Sequence, residues 1–143
     1  MTVFPDTNIW IGWLAGRNEP AAGDTGSRRR VFLTTIALQE LWAGVAPSSD
    51  RARDLVALYR VAARRRRIVK PPVAAWVASG QALQELARAR RFGGSRLRNL
   101  RNDVLLAATA LVYGAPVLTY NRADFAAIAR VLPVRLLTPS DGV

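Results

Sequence analysis

Short apolar runs alternate with helical periodicities along most of this chain, and that order leaves few folds open. Thr2 to Pro5 is apolar and ends at Asp6, after which Ile9, Trp10, Trp13 and Leu14 recur at helical spacing up to Gly16. Val31-Phe32-Leu33 reads as a second short strand running into a helix from Thr34 or Thr35. Ile68-Val69, Pro116 to Thr119 and Val134 to Thr138 read as further strands. Helices are expected over Asp54 to Ala63, Ala74 to Arg91, Asp103 to Tyr113 and Ala123 to Leu132. Residues 17–29, with two Gly and a Pro, and Gly93-Gly94-Ser95 read as loops. Strands separated by helices pair in parallel, and a parallel sheet is covered on both faces with its functional groups beyond the carboxyl ends of the strands. The chain's 143 residues suit one hydrophobic core, expected as a single domain over 1–138 with a short polar tail at 139–143.

Four carboxylates stand where this pattern makes them costly. Asp6 directly ends the first strand and Asp124 lies five residues past Thr119, at the end of another. Glu40 falls between Ile36 and Gly44 on the apolar half of its helix, and Asp103 opens the most apolar helix of the chain. Taken alone, Asp103 could simply favour the helix dipole. Four such acids within ~5 Å of one another would repel by about 3 kcal/mol per pair at an effective dielectric near 20. Bare, they would protonate; a divalent cation removes the repulsion. With no cysteine and no histidine in the chain, an all-oxygen ligand set selects Mg²⁺ or Mn²⁺ over zinc or copper.

The same absences exclude disulfides, histidine-based acid–base ribonuclease chemistry, Ser-His-Asp triads and Cys-His nucleophiles, leaving metal-activated water as the nucleophile. The net charge is +11, and setting the four acids aside leaves six acids against 21 bases. Such a field favours a polyanion, and Lys70 is the only lysine, so Arg carries the charge in the form best suited to phosphate. The N-terminus lacks the pattern of a signal peptide and no apolar run reaches the ~18 residues needed to span a bilayer, so a soluble cytoplasmic protein without membrane contact is expected.

At four places the residues resemble the PIN-domain nucleases, and among them the VapC-type toxins of toxin–antitoxin pairs. These are Asp6-Thr7-Asn8 after the first strand; Glu40-Leu41 followed by Gly44; Asn102-Asp103 followed by Leu106-Ala107-Ala108; and Thr119-Tyr120-Asn121 followed by Asp124-Phe125. The resemblance spans nearly the whole chain. It implies a three-layer α/β/α fold around a mainly parallel sheet of four or five strands, and Mg²⁺ or Mn²⁺ held by Asp6, Glu40, Asp103 and Asp124. It further implies hydrolysis of RNA phosphodiesters to a 5′-phosphate and a 3′-hydroxyl, a homodimer and a cognate VapB-like antitoxin. Asn8, Thr119 and Asn121 match positions that support the acids by hydrogen bonding. Pro5 departs from the pattern, in which an aliphatic strand residue is usual, and so does the long charged loop after the first helix.

Arg96, Arg98 and Arg101, beside the helix that carries Asp103, are candidates to track an RNA backbone, whereas Arg64 to Arg67 sit at a helix end where solvation suffices as an explanation. Trp13 and Leu14 read as core, while Trp10 and Trp42 are candidates for an exposed groove that receives the antitoxin or a second subunit. Other classes fit less well. An Asp-nucleophile phosphatase needs a second Asp where Asn8 stands, and a receiver domain needs a Lys after a late strand. A ribonuclease-H-like sheet begins with hairpin strands rather than with a strand and a helix. A PIN nuclease of RNA processing without an antitoxin, and a non-catalytic basic RNA-binding domain, remain as alternatives; the latter gives no reason for four core-facing acids.

Overall fold

The computed structural model describes residues 1–16, 30–89 and 94–139. The loop expected at 17–29, Arg90, Arg91 and Gly93, and most of the expected tail lie outside the described residues. In chain order the elements are β1 (Thr2–Pro5), α1 (Thr7–Leu14), β2 (Arg30–Val31), β3 (Leu33–Thr34), α2 (Thr35–Ala43), α3 (Asp50–Arg64) and β4 (Ile68–Val69). They continue with α4 (Val73–Arg88), α5 (Gly94–Asn99), α6 (Arg101–Val112), β5 (Val117–Leu118), α7 (Arg122–Ala129) and β6 (Leu136–Leu137).

Among the described residues all the strand pairings are parallel. Four strands run in the order β2-β1-β5-β6, and β3 pairs with β4. The expected strand at 31–33 is found as two pieces because residues 30–34 change neighbour midway. The Phe32 amide donates to the Val3 carbonyl of β1 at 3.1 Å, and the next amide, on Leu33, donates to Arg67 at 2.7 Å. This change also accounts for Pro5. In a parallel ladder successive amides face opposite neighbours, and those of Phe4 and Asp6 point to β5, bonding Pro116 and Leu118 at 3.0 and 2.9 Å. The missing Pro5 donor therefore faces the side on which the ladder to β2 has ended.

Alternation along the strands sorts the core into layers. Phe4 and Val117 pack on one face with α4, α6 and α7 through Ala75, Leu86, Val104, Ala108, Phe125 and Ile128. Val3 and Leu118 face the other way, against Ile9 of α1. Beside them Trp10, Leu33, Ala37, Leu41, Leu55 and Leu58 join α1, α2 and α3. This is the three-layer α/β/α arrangement. α6 is the most enclosed helix of its layer, with Val104 to Ala110 all buried.

Side-chain caps begin α1, α2 and α3. Asp6, Thr34 and Ser49 accept from the amides of Ile9, Ala37 and Ala52 at the starts of α1, α2 and α3. Gly114, at φ +66, ends α6: its amide reaches Leu111 and that of Ala115 reaches back to Ala110, which reverses the chain into β5. Two expectations fail here. Gly94 and Ser95, read as loop, open the helix α5; it buries no residue, so it carries no apolar periodicity by which to recognise it. Trp10, read as lining an exposed groove, is 5% exposed and lies in the core, whereas Trp13 and Leu14 are only half-buried against it. No helix among the described residues is long and apolar enough to cross a membrane.

Candidate active site at the carboxyl edge of the sheet

The chain leaves β1 through Asp6 and β5 through Thr119, neighbouring strands in register at Pro5 and Leu118. Asp6 is 4% exposed and Thr119 fully buried. The Thr119 hydroxyl donates a short hydrogen bond to Oδ2 of Asp6, while Oδ1 accepts from the Ile9 amide at 3.3 Å. Asp6 thus caps α1 and receives a second donor from the neighbouring strand. Burial nevertheless raises its pKa above the ordinary carboxylate value; the bonds from Thr119, Ile9 and the Asn8 amide oppose this, and the charge of Glu40 adds to it.

Asp103 lies in the first turn of α6. No side-chain hydrogen bond caps that helix, so Asp103 does not stand there as a cap. Burial, then the charges of Asp6, Glu40 and Asp124, push the Asp103 carboxyl up to about 7. That coupling places all four acids in one electrostatic neighbourhood, with Asp103 feeling the other three. Glu40, in the second turn of α2, accepts from the Thr7 hydroxyl at 2.7 Å. Asp124, in the first turn of α7, accepts from Asn121 Nδ2 at 3.0 Å and from Arg96 Nη2 at 2.8 Å.

Among the described residues, no three carboxylates form a ready-made ligand shell, since Glu40 is turned to Thr7 and Asp124 to Arg96. The donor set nonetheless fits a hard divalent ion. It is all oxygen, burial and then the three neighbouring negative charges push the Asp103 carboxyl up to about 7, and Glu40 and Asp124 are only half-buried.

Of the residues expected to support the acids, Thr119 and Asn121 are in place. The Asn121 amide donates to Thr119 Oγ1 at 2.8 Å, so hydrogen bonds run without a break from Arg96 through Asp124, Asn121 and Thr119 to Asp6. Asn8 is a correction. Its side chain is exposed and reaches no acid among the described residues; only its backbone amide serves Asp6. Thr7 was missed, although it stands next to Asp6 at the strand end where such a hydroxyl could have been sought. Arg98 and Arg101 are exposed. A groove of about 620 Å³ is lined by Gln39, Trp76, Leu83, Arg101 and Asn102 among others; its lining includes the chain neighbours of Glu40 and Asp103 but none of the four acids. Trp42 is 44% exposed and meets Tyr59 edge-on at 6.1 Å.

Solved structures share this fold. A DNA-bound VapBC from Salmonella typhimurium has a TM-score of 0.72 at 23% identity, over 97% of this chain and 98% of that one. VapBC-1 from nontypeable Haemophilus influenzae has a TM-score of 0.71 at 21% identity, over 98% and 99%. VapBC-5 from Mycobacterium tuberculosis, of the VapBC family of toxin–antitoxin systems, has a TM-score of 0.66 at 23% identity, over 96% and 98%. No curated protein matches the chain. Residues 3–131 match the PIN domain family, so nine-tenths of the chain, including all four acids, falls within that match, and the chain belongs to the PIN-domain family.

Proposed function

We propose that this chain is a Mg²⁺- or Mn²⁺-dependent endoribonuclease and the toxic member of a VapBC-type toxin–antitoxin pair. The observation that carries the reading is the convergence of Asp6, Glu40 and Asp124 on Asp103 at the carboxyl edge of a PIN-domain sheet, with Asp103 pushed to about 7. Asp6 and Asp103 would hold the ion, with Glu40 and Asp124 completing its shell directly or through water. What a divalent ion supplies in such a shell is neutralisation of phosphate charge and a water acidified enough to attack. The protein's own part is positional. Thr119 and the Ile9 amide fix Asp6, Thr7 holds Glu40 within reach, and a carboxylate orients or deprotonates the water for in-line attack on phosphorus. Arg101 on the groove rim, with Arg96 and Arg98 on α5, would track the RNA backbone.

Three of the structural relatives are VapBC assemblies, which supports a VapB-like antitoxin as partner. The exposed Trp42–Tyr59 pair suits an apolar segment of such a partner. Val73, Trp76 and Val77, exposed at i, i+3 and i+4 on α4, suit a homodimer contact instead.

Incubation of the purified protein with total RNA tests the core of the proposal. Cleavage with Mn²⁺ is expected, with none in EDTA or with Asp6→Ala or Asp103→Ala, and sequenced ends should carry 5′-phosphates. RNA left intact in Mn²⁺, or both variants cutting at wild-type rates, would overturn it. Unchanged antitoxin affinity in Trp42→Ala would remove that contact alone.

A further inference from the structure

Arg96 places Nη2 2.8 Å from Oδ1 of Asp124, across 28 positions of sequence. The guanidinium side chain is 59% exposed and the carboxylate side chain 25%. The other Asp124 oxygen accepts from Asn121, so both oxygens point to protein donors and one of those donors is a full cation. We infer that Arg96 is a resident counter-ion of Asp124, which holds this carboxylate out of the metal shell until an RNA phosphate draws the guanidinium away. The inference rests on the metal-dependent nuclease reading and names a positioning residue within it.

Three features carry it. A guanidinium and a divalent ion compete for the same carboxylate, because two cations on one acid repel while either alone neutralises it. Exchange of partners costs little: a half-exposed ion pair contributes only ~0–1 kcal/mol, and a phosphodiester offers Arg the same fork geometry as a carboxylate. The group that must move lies at the surface, 59% exposed on a six-residue helix that fully buries none of its residues. Arg96 would thus pass from Asp124 to substrate as RNA arrives, and the freed carboxylate would complete the acid set only when there is something to cut. The hydrogen-bonded run through Asn121 and Thr119 keeps Asp124 near Asp6 throughout.

Calorimetric titration of RNA-free protein with Mn²⁺ tests the idea. Arg96→Gln is expected to bind Mn²⁺ about two- to fivefold more tightly than wild type, which is the range that up to ~1 kcal/mol of ion pairing allows. Arg96→Lys, which keeps the charge, should stay near wild type. In an Asp124→Asn background, Arg96→Gln should change nothing further. In EDTA, Arg96→Gln should bind an RNA oligonucleotide about two- to fivefold more weakly. Loss of RNA affinity with Mn²⁺ affinity unchanged or lowered would make Arg96 a plain phosphate contact and overturn the inference, leaving the nuclease reading intact. Absence of Mn²⁺ uptake by wild type and Arg96→Gln alike would remove both.

Discussion

The two ends of the acidic site are built in different ways. At one end Asp6 is buried at a strand terminus, its position set by the β1–β5 ladder, by the start of α1 and by the hydroxyl of a fully buried threonine. At the other end Asp124 is partly open to solvent and is held by the Asn121 side-chain Nδ2 and by a guanidinium that is itself more than half exposed. A carboxylate fixed by backbone geometry has few alternative positions; one fixed by an ion pair at the surface has several of similar energy. The site therefore combines a rigid half, which defines where the chemistry takes place, with an adjustable half, which can answer to what is bound. Asp103 stands between them and registers both through its raised pKa.

The rigid half should be the less forgiving of change, and Thr119→Val probes it most directly. Valine keeps the shape but withdraws the donor to Asp6 and the acceptor for the Asn121 amide. Leaving those groups unpaired in a buried site costs about 1–3 kcal/mol. Loss of an oriented ligand should lower kcat/KM by about 10–100-fold. Denaturant unfolding and steady-state cleavage measure the two effects separately, and Thr119→Ser should restore most of both. A valine variant that cuts like wild type would show that Asp6 needs no such support.

Stability against pH gives the next effect in size. The folded protein holds the Asp103 proton up to about pH 7, whereas an ordinary aspartate releases it near 3.8. Between these values the folded state binds more protons than the unfolded chain, so the contribution of this group to stability falls as pH rises through the window. Asp6, also raised, acts in the same direction. At 1.36 kcal/mol per pKa unit the Asp103 contribution has a ceiling of about 4 kcal/mol. In metal-free buffer, wild-type Tm is expected to drop relative to Asp103→Asn between pH 5 and pH 8, and Mn²⁺ should abolish the drop. Parallel curves for the two proteins would mean that Asp103 is neither desolvated nor crowded in the folded state and that the two halves do not meet through it.

The rigid half was also the more legible one in the sequence. An apolar run that stops at an acid marks a strand end, which located Asp6, and helical periodicity placed Glu40 on the inner side of α2. The strand–helix order likewise carried the parallel sheet. Asp124 was legible as well, five residues past a strand end, but the partners of the acids were not, because the Arg96–Asp124 and Thr7–Glu40 bonds span 28 and 33 positions and depend on how helices seat on the sheet. Periodicity shows only which residues share a helix face. It gathered Trp10, Trp13 and Leu14 on one stripe of α1 without telling which of them α2 and α3 would cover, and Trp10 proved to be the buried one. α5 escaped for a related reason, since a six-residue helix with the half-buried Leu97 as its one apolar contact leaves no periodic pattern.

The smallest expected effect falls at the link between the halves. Asn121→Ala removes the Nδ2 donor to Asp124 but keeps the backbone amide that serves Thr119. The Asn121 side chain makes no capping bond to α7, so the helix should not suffer, and loss of one partly exposed hydrogen bond should cost about 0.5–1 kcal/mol at most. Asp124 would stay paired with Arg96 while Asp6 kept all its donors, so kcat/KM should fall by only about two- to fivefold, well short of the loss in Thr119→Val. An equal loss in the two variants would mean that Asp124 is held as strictly as Asp6, and the contrast between a fixed and an adjustable half would not stand.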